Sequence, residues 1–348
     1  MRKELLSIIK CPACGNFGDE GFKLVRNITT ALEIKEGQLI CNLCHEIFEI
    51  KNGILSLLYR PGKEVVEEIK GIIEALQESR SQYNDKMLLS LPESAESKNP
   101  FDSSYKYSSN FYQMIRELGI SGSELILDLG SGNTWSSNKL SQKGCRCVSL
   151  DISLPKYKGL ESAEMYFQSC QVYYERIVSD MKNLPFVDNV FDIVMSNSSI
   201  HHASNLLDVL KESFRVLKKG GKLALINETV CSIFSIKRDK NRQNLPSFVK
   251  RFNWNENTYS ISQYFRYLKA EGFSNIKVFL PASLETRLSE IRKAKVNFKK
   301  ITLKYKVAFF VSLFWGGKTE GFIKKLVFWP AIIIFGLPLL LLTKKPDN

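Results

Sequence analysis

No secretory signal opens this sequence. Met1-Arg2-Lys3-Glu4 runs straight into an amphipathic stretch instead of an apolar export core, so the protein is expected to stay on the cytoplasmic side. Acid is in short supply: 36 Asp and Glu stand against 49 Lys and Arg, for a formal net charge of +13. The shortage is local. Residues 281–348 hold 13 basic residues and 4 acidic ones, so most of the surplus belongs to the tail. Apolar residues are not lacking; at 44% they suffice for a core and exclude wholesale disorder. A length of 348 residues leaves room for one large domain with attachments.

The most informative stretch runs Leu125-Ile126-Leu127-Asp128-Leu129-Gly130-Ser131-Gly132, with Val148-Ser149-Leu150-Asp151 after it. Each apolar run ends in an acid, and a glycine-rich turn lies between them. This is the layout of a nucleotide-type site at the carboxyl edge of a parallel sheet. Glycines let the backbone come close to a ligand, and a carboxylate at the tip of the next strand can accept both hydroxyls of a ribose. Asp128 lies inside the motif, where dinucleotide-binding loops usually have no acid, and is suited to an ammonium group. A ligand with a ribose and an amino acid fits, and S-adenosylmethionine has both.

Further segments follow in order: Ser179-Asp180-Met181, Leu184-Pro185-Phe186, Phe191-Asp192-Ile193-Val194, Asn197-Ser198-Ser199-Ile200-His201-His202, and Arg215-Val216-Leu217-Lys218-Lys219-Gly220-Gly221. With them, residues 105–280 resemble a class I S-adenosylmethionine-dependent methyltransferase, of the broad bacterial group with small-molecule and lipid acceptors. The resemblance implies an α/β fold, a Rossmann-like sheet with helices on both faces. It also implies that Asp128, Gly130, Ser131 and Gly132 line the methionine end. Asp151 would hold the ribose and Ile152 flank the adenine. Asp180 would accept from the adenine amino group, with Met181 beside it, and Asn197 would sit under the methyl group's path. The plainer readings are a helix N-cap for Asp180 and a solvated strand end for Asp151. One departure is Thr134, which stands where the family often has a third glycine.

Eight cysteines do not imply disulfides here. Cys11-Pro12-Ala13-Cys14 and Cys41-Asn42-Leu43-Cys44 are two Cys-x-x-Cys knuckles separated by 26 residues. Four such thiolates can occupy the corners of a tetrahedron, as a structural zinc requires; two redox pairs are the alternative. His45 reads as a bystander, and Cys145, Cys147, Cys170 and Cys231 as reduced core or strand residues. Leu5-Leu6, Ile8-Ile9, Cys11-Pro12, Leu39-Ile40-Cys41 and Phe48 to Ile54 resemble the small zinc-ribbon family typified by the methyltransferase-activating subunit Trm112. In that family the module stabilises or activates a methyltransferase.

The chain then divides into a ribbon (1–60), a helix and linker (61–104), the methyltransferase-like domain (105–280) and a tail (281–348). Residues 63–79 read as a helix with Val65, Val66, Ile69, Ile72, Ile73 and Leu76 on one stripe. Strands are expected near 124–129, 146–150, 175–179, 190–196, 221–227 and 275–280, and a helix near 259–270. Tyr105, Tyr107, Phe111 and Tyr112 would cover the cofactor or pack in the core. Residues 228–258 mix bases with aromatics and would lie over the acceptor side. Residues 326–343 carry no charge, and lysines bracket them. With Pro330 and Pro338 inside the run, this reads as a hydrophobic C-terminal membrane segment, dipping into one leaflet behind a basic collar. A single span and a buried hairpin are the alternatives.

Methyl transfer needs a base only for a protonated acceptor; the candidates are His201, His202 and Glu228. The leading expectation is a methyltransferase at the cytoplasmic face of a membrane, acting on a lipid-linked, glycan or isoprenoid-type small molecule. The second is a zinc-ribbon methylase of ribosomal or transfer RNA bases, which a basic chain favours. Against it stand the placement of the charge and the absence of an Asn-Pro-Pro-aromatic motif. The third is a non-catalytic, membrane-tethered assembly protein that binds S-adenosylmethionine or has lost its pocket. The sequence leaves the oligomeric state open.

Overall fold

A single sheet of eleven strands runs through the described residues. The structure is a computed structural model that describes residues 1–79, 83–95, 107–231, 251–252, 255–283 and 338–347. Four strands come from the amino-terminal ribbon: β1 (Phe22–Thr29), β2 (Ile34–Cys41), β3 (Ile47–Lys51) and β4 (Ile54–Ser56). They form an antiparallel meander. The β1–β2 hairpin fills residues 15–40, a stretch whose polar composition announces no element. Asn52 and Gly53 have φ of 52° and 75°, the left-handed backbone that a tight hairpin turn between β3 and β4 requires.

Helix α1 (Lys63–Ser79) follows, then the short α2 (Asp85–Leu89) and α3 (Tyr107–Leu118). The large domain's strands are β5 (Leu125–Leu129), β6 (Arg146–Asp151), β7 (Glu175–Val178), β8 (Phe191–Asn197) and β9 (Leu217–Glu228). Helices α4 (Trp135–Ser141), α5 (Ala163–Cys170) and α6 (Leu206–Val216) lie between them, and α7 (Ile261–Ala270) precedes β10 (Ser274–Phe279). The central strands read as nearly continuous apolar runs because both faces are covered, as in parallel sheets generally. Ile126, Leu127, Leu129, Leu150, Ile177, Val194 and Leu225 are fully buried.

The strand order is β1-β2-β3-β4-β7-β6-β5-β8-β9-β11-β10. Strands β5 to β9 pair in parallel. Strand β5 lies between β6 and β8, which makes their carboxyl ends the topological switch point where such sheets bind ligands. Strand β4 pairs in parallel with β7, through Leu55 opposite Ile177 and Ser56 opposite Val178. The ribbon is therefore an extension of the large sheet, and its apolar residues Leu39, Phe48 and Ile50 share one core cluster with Leu150 and Ile177.

Two corrections follow. Strand β10 does not close against β9 as its place in the sequence suggests. Strand β11 (Leu339–Lys344) is wedged between them and pairs antiparallel with both. Leu339, Leu340 and Leu341 have no exposed surface. The end of the uncharged run is thus core sheet, not a membrane segment. Leu339–Thr343 is therefore not available to the uncharged run expected over 326–343, whose residues 326–337 lie outside the described residues. Among the described residues no helix is long and apolar enough to cross a membrane. The second correction concerns α1. It buries Val65, Glu68, Gly71 and Ala75, while Val66 and Ile73 are 37% and 39% exposed. The buried face is rotated from the expected stripe and carries an acid. The linker expected after α1 within 61–104 contains α2, and Phe111 is a core residue. Tyr105, the side chain of Tyr107, residues 284–337 and most of the basic-aromatic stretch after β9 lie outside the described residues.

Candidate functional site

At the carboxyl ends of β5, β6, β7 and β8 the structure has a cavity of about 230 Å³. Its wall includes Gly130, Gly132, Asp151, Ile152, Asp180 and Met181. Six of the nine expected cofactor residues thus meet at one place. Helix α1 forms the opposite wall with Glu64, Val65, Glu68 and Ile72. None of these four was expected at the site. The sequence signal for them is an acid embedded in an apolar stripe, since Glu68 lies three residues after Val65 and four before Ile72.

The glycine loop explains itself. Gly130 and Gly132 have φ of 63° and 51°, which disfavours any residue with a Cβ. A Cβ on Gly130 would stand 2.4 Å from the Cβ of Ser199, whereas one on Gly132 would meet nothing within 4 Å. The first glycine is needed for packing, the second leaves the cavity open. Thr134 is also left-handed, at φ 64°. It is fully buried, and its hydroxyl is 2.8 Å from that of Tyr174. That bond anchors a backbone conformation that a β-branched residue rarely adopts.

Asp151 accepts the Gly132 N–H and the Ser153 N–H, both at 2.7 Å. Burial, reinforced by the nearby Glu68 charge, raises its pKa to about 6. It is a ligated carboxylate at the cavity wall, not a solvated strand end. Asp180 is no helix cap: its carboxylate accepts the Lys182 N–H at 2.9 Å, closing a turn after β7. The Lys182 ammonium meets Glu64 at 2.7 Å. Ser153 also lines the cavity, and its hydroxyl is buried without a hydrogen-bond partner among the described residues. An unpaired polar group there fits a ligand with hydrogen-bonding groups, as S-adenosylmethionine has.

Three expected contacts are not on the cavity wall. Asp128 turns inward: its carboxylate accepts from the hydroxyls of Ser136 and Ser137 at 2.5 and 2.8 Å. Burial raises its pKa to about 6. It fastens the first turn of α4 to β5 and acts on the loop from behind. Ser131 is buried as well, its backbone N–H bound to Leu150. Asn197 accepts from Asn227 at 3.0 Å, and Asn227 in turn accepts from Asn110 at 2.6 Å.

Of the three candidate bases, only His202 lines the cavity. Burial works against its protonation, but the Glu68 carboxylate outweighs it and raises the pKa. Glu228 is fully buried, not solvated. It accepts from Ser196, from the Ser199 N–H at 3.0 Å and from His201 Nδ1 at 2.8 Å. Burial opposes its ionisation, and the His201 contact lowers its pKa. Glu228 therefore orients His201 and does not reach the cavity.

The four ribbon cysteines converge. Cys11 and Cys44 sulfurs are 3.7 Å apart, and Cys14 and Cys41 sulfurs 3.6 Å; all four lie within 4.8 Å of one another. A tetrahedral ion with metal–sulfur bonds of about 2.3 Å needs edges of roughly 3.8 Å. Burial opposes ionisation of Cys41, but the Cys44 N–H and the Asn16 amide outweigh it and lower the pKa to about 6. His45 is exposed and outside the set. The other four cysteines form no disulfide among the described residues.

Residues 2–53 match the Trm112p-like protein family and residues 127–225 match a methyltransferase domain family, type 11. The domain is similar to a demethylmenaquinone methyltransferase of Corynebacterium urealyticum, 32% identical over 110 residues, covering 32% of this chain and 44% of the relative. It is also similar to a malonyl-[acyl-carrier protein] O-methyltransferase of Buchnera aphidicola, 35% identical over 99 residues, covering 28% of this chain and 36% of the relative. The chain thus spans less than half the length of either curated relative. A phosphoethanolamine N-methyltransferase of Haemonchus contortus, solved with S-adenosyl-L-methionine, aligns over 79% of this chain and 60% of its own at 18% identity and a TM-score of 0.45. Residues 127–225 carry a methyltransferase domain of the type 11 family, and residues 2–53 before them a Trm112p-like domain.

Proposed function

We propose that the protein transfers a methyl group from S-adenosylmethionine to a small-molecule acceptor. The observation that carries this is Asp151 at the tip of β6, beside the open face of Gly132 in one cavity with Asp180. Asp151 holds the ribose hydroxyls, Ile152 and Met181 flank the adenine, and Asp180 accepts from its amino group. The sulfonium supplies an activated methyl carbon. The chain's residues supply position and exclude water, which is most of what an in-line displacement needs. A proton acceptor is required only for a hydroxyl or protonated amine, and His202 is the candidate within reach.

The relatives' named substrates, a quinone precursor and a carrier-bound malonyl group, favour a small acceptor over RNA. An amphiphilic, membrane-associated acceptor at the cytoplasmic face remains our reading of the basic tail and its apolar residues 326–338. The four cysteines hold a structural zinc ion, which makes the ribbon a brace for β7 through β4.

Equilibrium binding of S-adenosylmethionine to the wild type and to Asp151→Ala tests the reading. The wild type is expected to bind and the variant to lose about a hundredfold in affinity, the loss of two charge-assisted hydrogen bonds. Equal affinity for both proteins, or none for the wild type, would refute it.

A further inference from the structure

The histidine pair after β8 is built like a metal site. The rings of His201 and His202 lie 4.5 Å apart between centroids, and each has a carboxylate behind its Nδ1. Glu228 is 2.8 Å from His201 Nδ1. Glu68 Oε1 is 3.1 Å from His202 Nδ1, near enough for an ion pair although not aligned for a hydrogen bond. The two Nε2 atoms both face Glu256, at 3.5 Å from His201 and 3.8 Å from His202. Glu256 is clamped there. The Asn257 N–H donates to the His201 carbonyl at 3.0 Å, and its amide to the Ala203 carbonyl at 2.9 Å. The Asn255 amide donates to the His202 carbonyl at 2.5 Å. One donor atom from each of His201, His202 and Glu256 lies within 4.8 Å of the others.

We infer that His201, His202 and Glu256 bind one divalent transition-metal ion. Two donors about 2.1 Å from an ion stand roughly 3.0–3.5 Å apart, and the Glu256 oxygens, at 3.5 and 3.8 Å from the two Nε2 atoms, are within a few tenths of an ångström of that. Imidazole and carboxylate donors suit zinc, manganese, iron, cobalt or nickel. A ligating histidine whose other ring nitrogen meets a carboxylate is the common supporting arrangement of such sites, and here both histidines have one. Three protein donors leave coordination positions open. His202 lines the cavity, so an ion it holds would stand at the wall of that cavity and would replace the imidazole there as the group that lowers an acceptor's pKa, which suits an acceptor that offers an oxygen: a hydroxyl, a carboxylate or a phosphate.

The inference stands apart from the methyl-transfer reading, because metal binding is measured without cofactor or acceptor. Co(II) alone is titrated into the full-length, zinc-loaded protein, and visible absorption is followed. One equivalent is expected to produce d–d bands without thiolate-to-cobalt charge transfer, which separates this site from the cysteines. Glu256→Gln and His202→Gln should each weaken binding by about tenfold or more, with zinc content and melting temperature as in the wild type. The absence of a saturable sulfur-free band, or the same midpoint in the wild type and both variants, would overturn the assignment and leave only an ion-paired cluster.

Discussion

Glu33, from the turn between β1 and β2, and Arg176, from β7, form a buried ion pair across the seam between the ribbon and the methyltransferase sheet. The closest approach is 2.6 Å, and their side chains are 0% and 1% exposed. Gly53 makes the room: a Cβ there would lie 2.2 Å from the Glu33 carboxylate and 2.4 Å from the Arg176 guanidinium. Burial opposes the charge on Glu33, but Arg176, the Met1 ammonium and Lys35 together outweigh it and lower the pKa to about 2. Glu33 also meets the Met1 ammonium at 2.7 Å and Lys35 at 2.8 Å, so removing the acid strands Arg176 and the ammonium in the core, whereas removing Arg176 leaves the acid two cations. Glu33→Gln should cost about 3–5 kcal/mol and Arg176→Met less, and the double variant should recover part of the Glu33→Gln loss. Denaturant unfolding of the four proteins measures it. The pH dependence has a definite sign. A carboxylate with a depressed folded pKa stabilises fully above its unfolded value of 4.5, and that contribution disappears as pH falls toward about 2.

Metal removal should act across the same seam. A ribbon of this size has little core of its own and would depend on the proposed zinc ion. Chelation, or Cys41→Ser, is expected to lower the zinc content from one per chain and expose the β1–β2 hairpin to protease. It should also lower the melting temperature of the whole chain, because β4 is a strand of the large sheet. A zinc-free protein with unchanged melting would show that the metal does not brace that sheet.

The cofactor site should be pH-dependent. Asp151 is pushed up to about 6 by burial and by Glu68, and in the proposed site its anion is the form that would accept from ribose hydroxyls. Affinity for S-adenosylmethionine should therefore fall as pH drops through that value, by about tenfold between pH 7 and pH 5. In Asp151→Asn the part of this dependence due to residue 151 vanishes. Gly130→Ala should abolish binding outright, because the added Cβ has the left-handed φ against it and Ser199 in its way. Calorimetric titration at several pH values checks both.

Leu341→Lys separates the two meanings of the tail. Leu341 is fully buried in β11, opposite Leu225 of β9 and Val278 of β10. A lysine there should unfold the sheet, at a cost above about 4 kcal/mol. Were Leu341 part of a membrane anchor, the variant would instead leave the membrane with its fold and cofactor affinity intact.

The parallel core was readable because its signals are local. An apolar run, an acid and a glycine turn stand within eight residues, and the strand expected near 146–150 is β6 over Arg146–Asp151. Strand β11 was not readable, because Leu339–Thr343 without its partners looks the same in a bilayer as between two strands. Its neighbour β10 ends at Phe279, some sixty residues upstream. The expected Asp128 contact failed for a related reason. The spacing places its carboxylate in the loop but says nothing of Ser136 and Ser137, which turn it inward. Glu68 and Glu256 come from helix α1 and from the segment after β9. Only the fold brings them to the histidines, although an acid on the apolar stripe of α1 was a signal within reach. The Glu33–Arg176 pair joins residues more than a hundred positions apart, and nothing in either local sequence announces the other.

The central claim is methyl transfer to a small-molecule acceptor. It is tested most directly by incubating the protein and tritiated S-adenosylmethionine with a lysate of its native host lacking this gene. The lysate is then separated into solvent-extractable, RNA and protein fractions, with Asp151→Ala as the control. The account predicts protein-dependent label in the extractable small-molecule fraction that disappears with the variant. Label in RNA, or no label in any fraction from a wild-type protein that binds the cofactor, would contradict it.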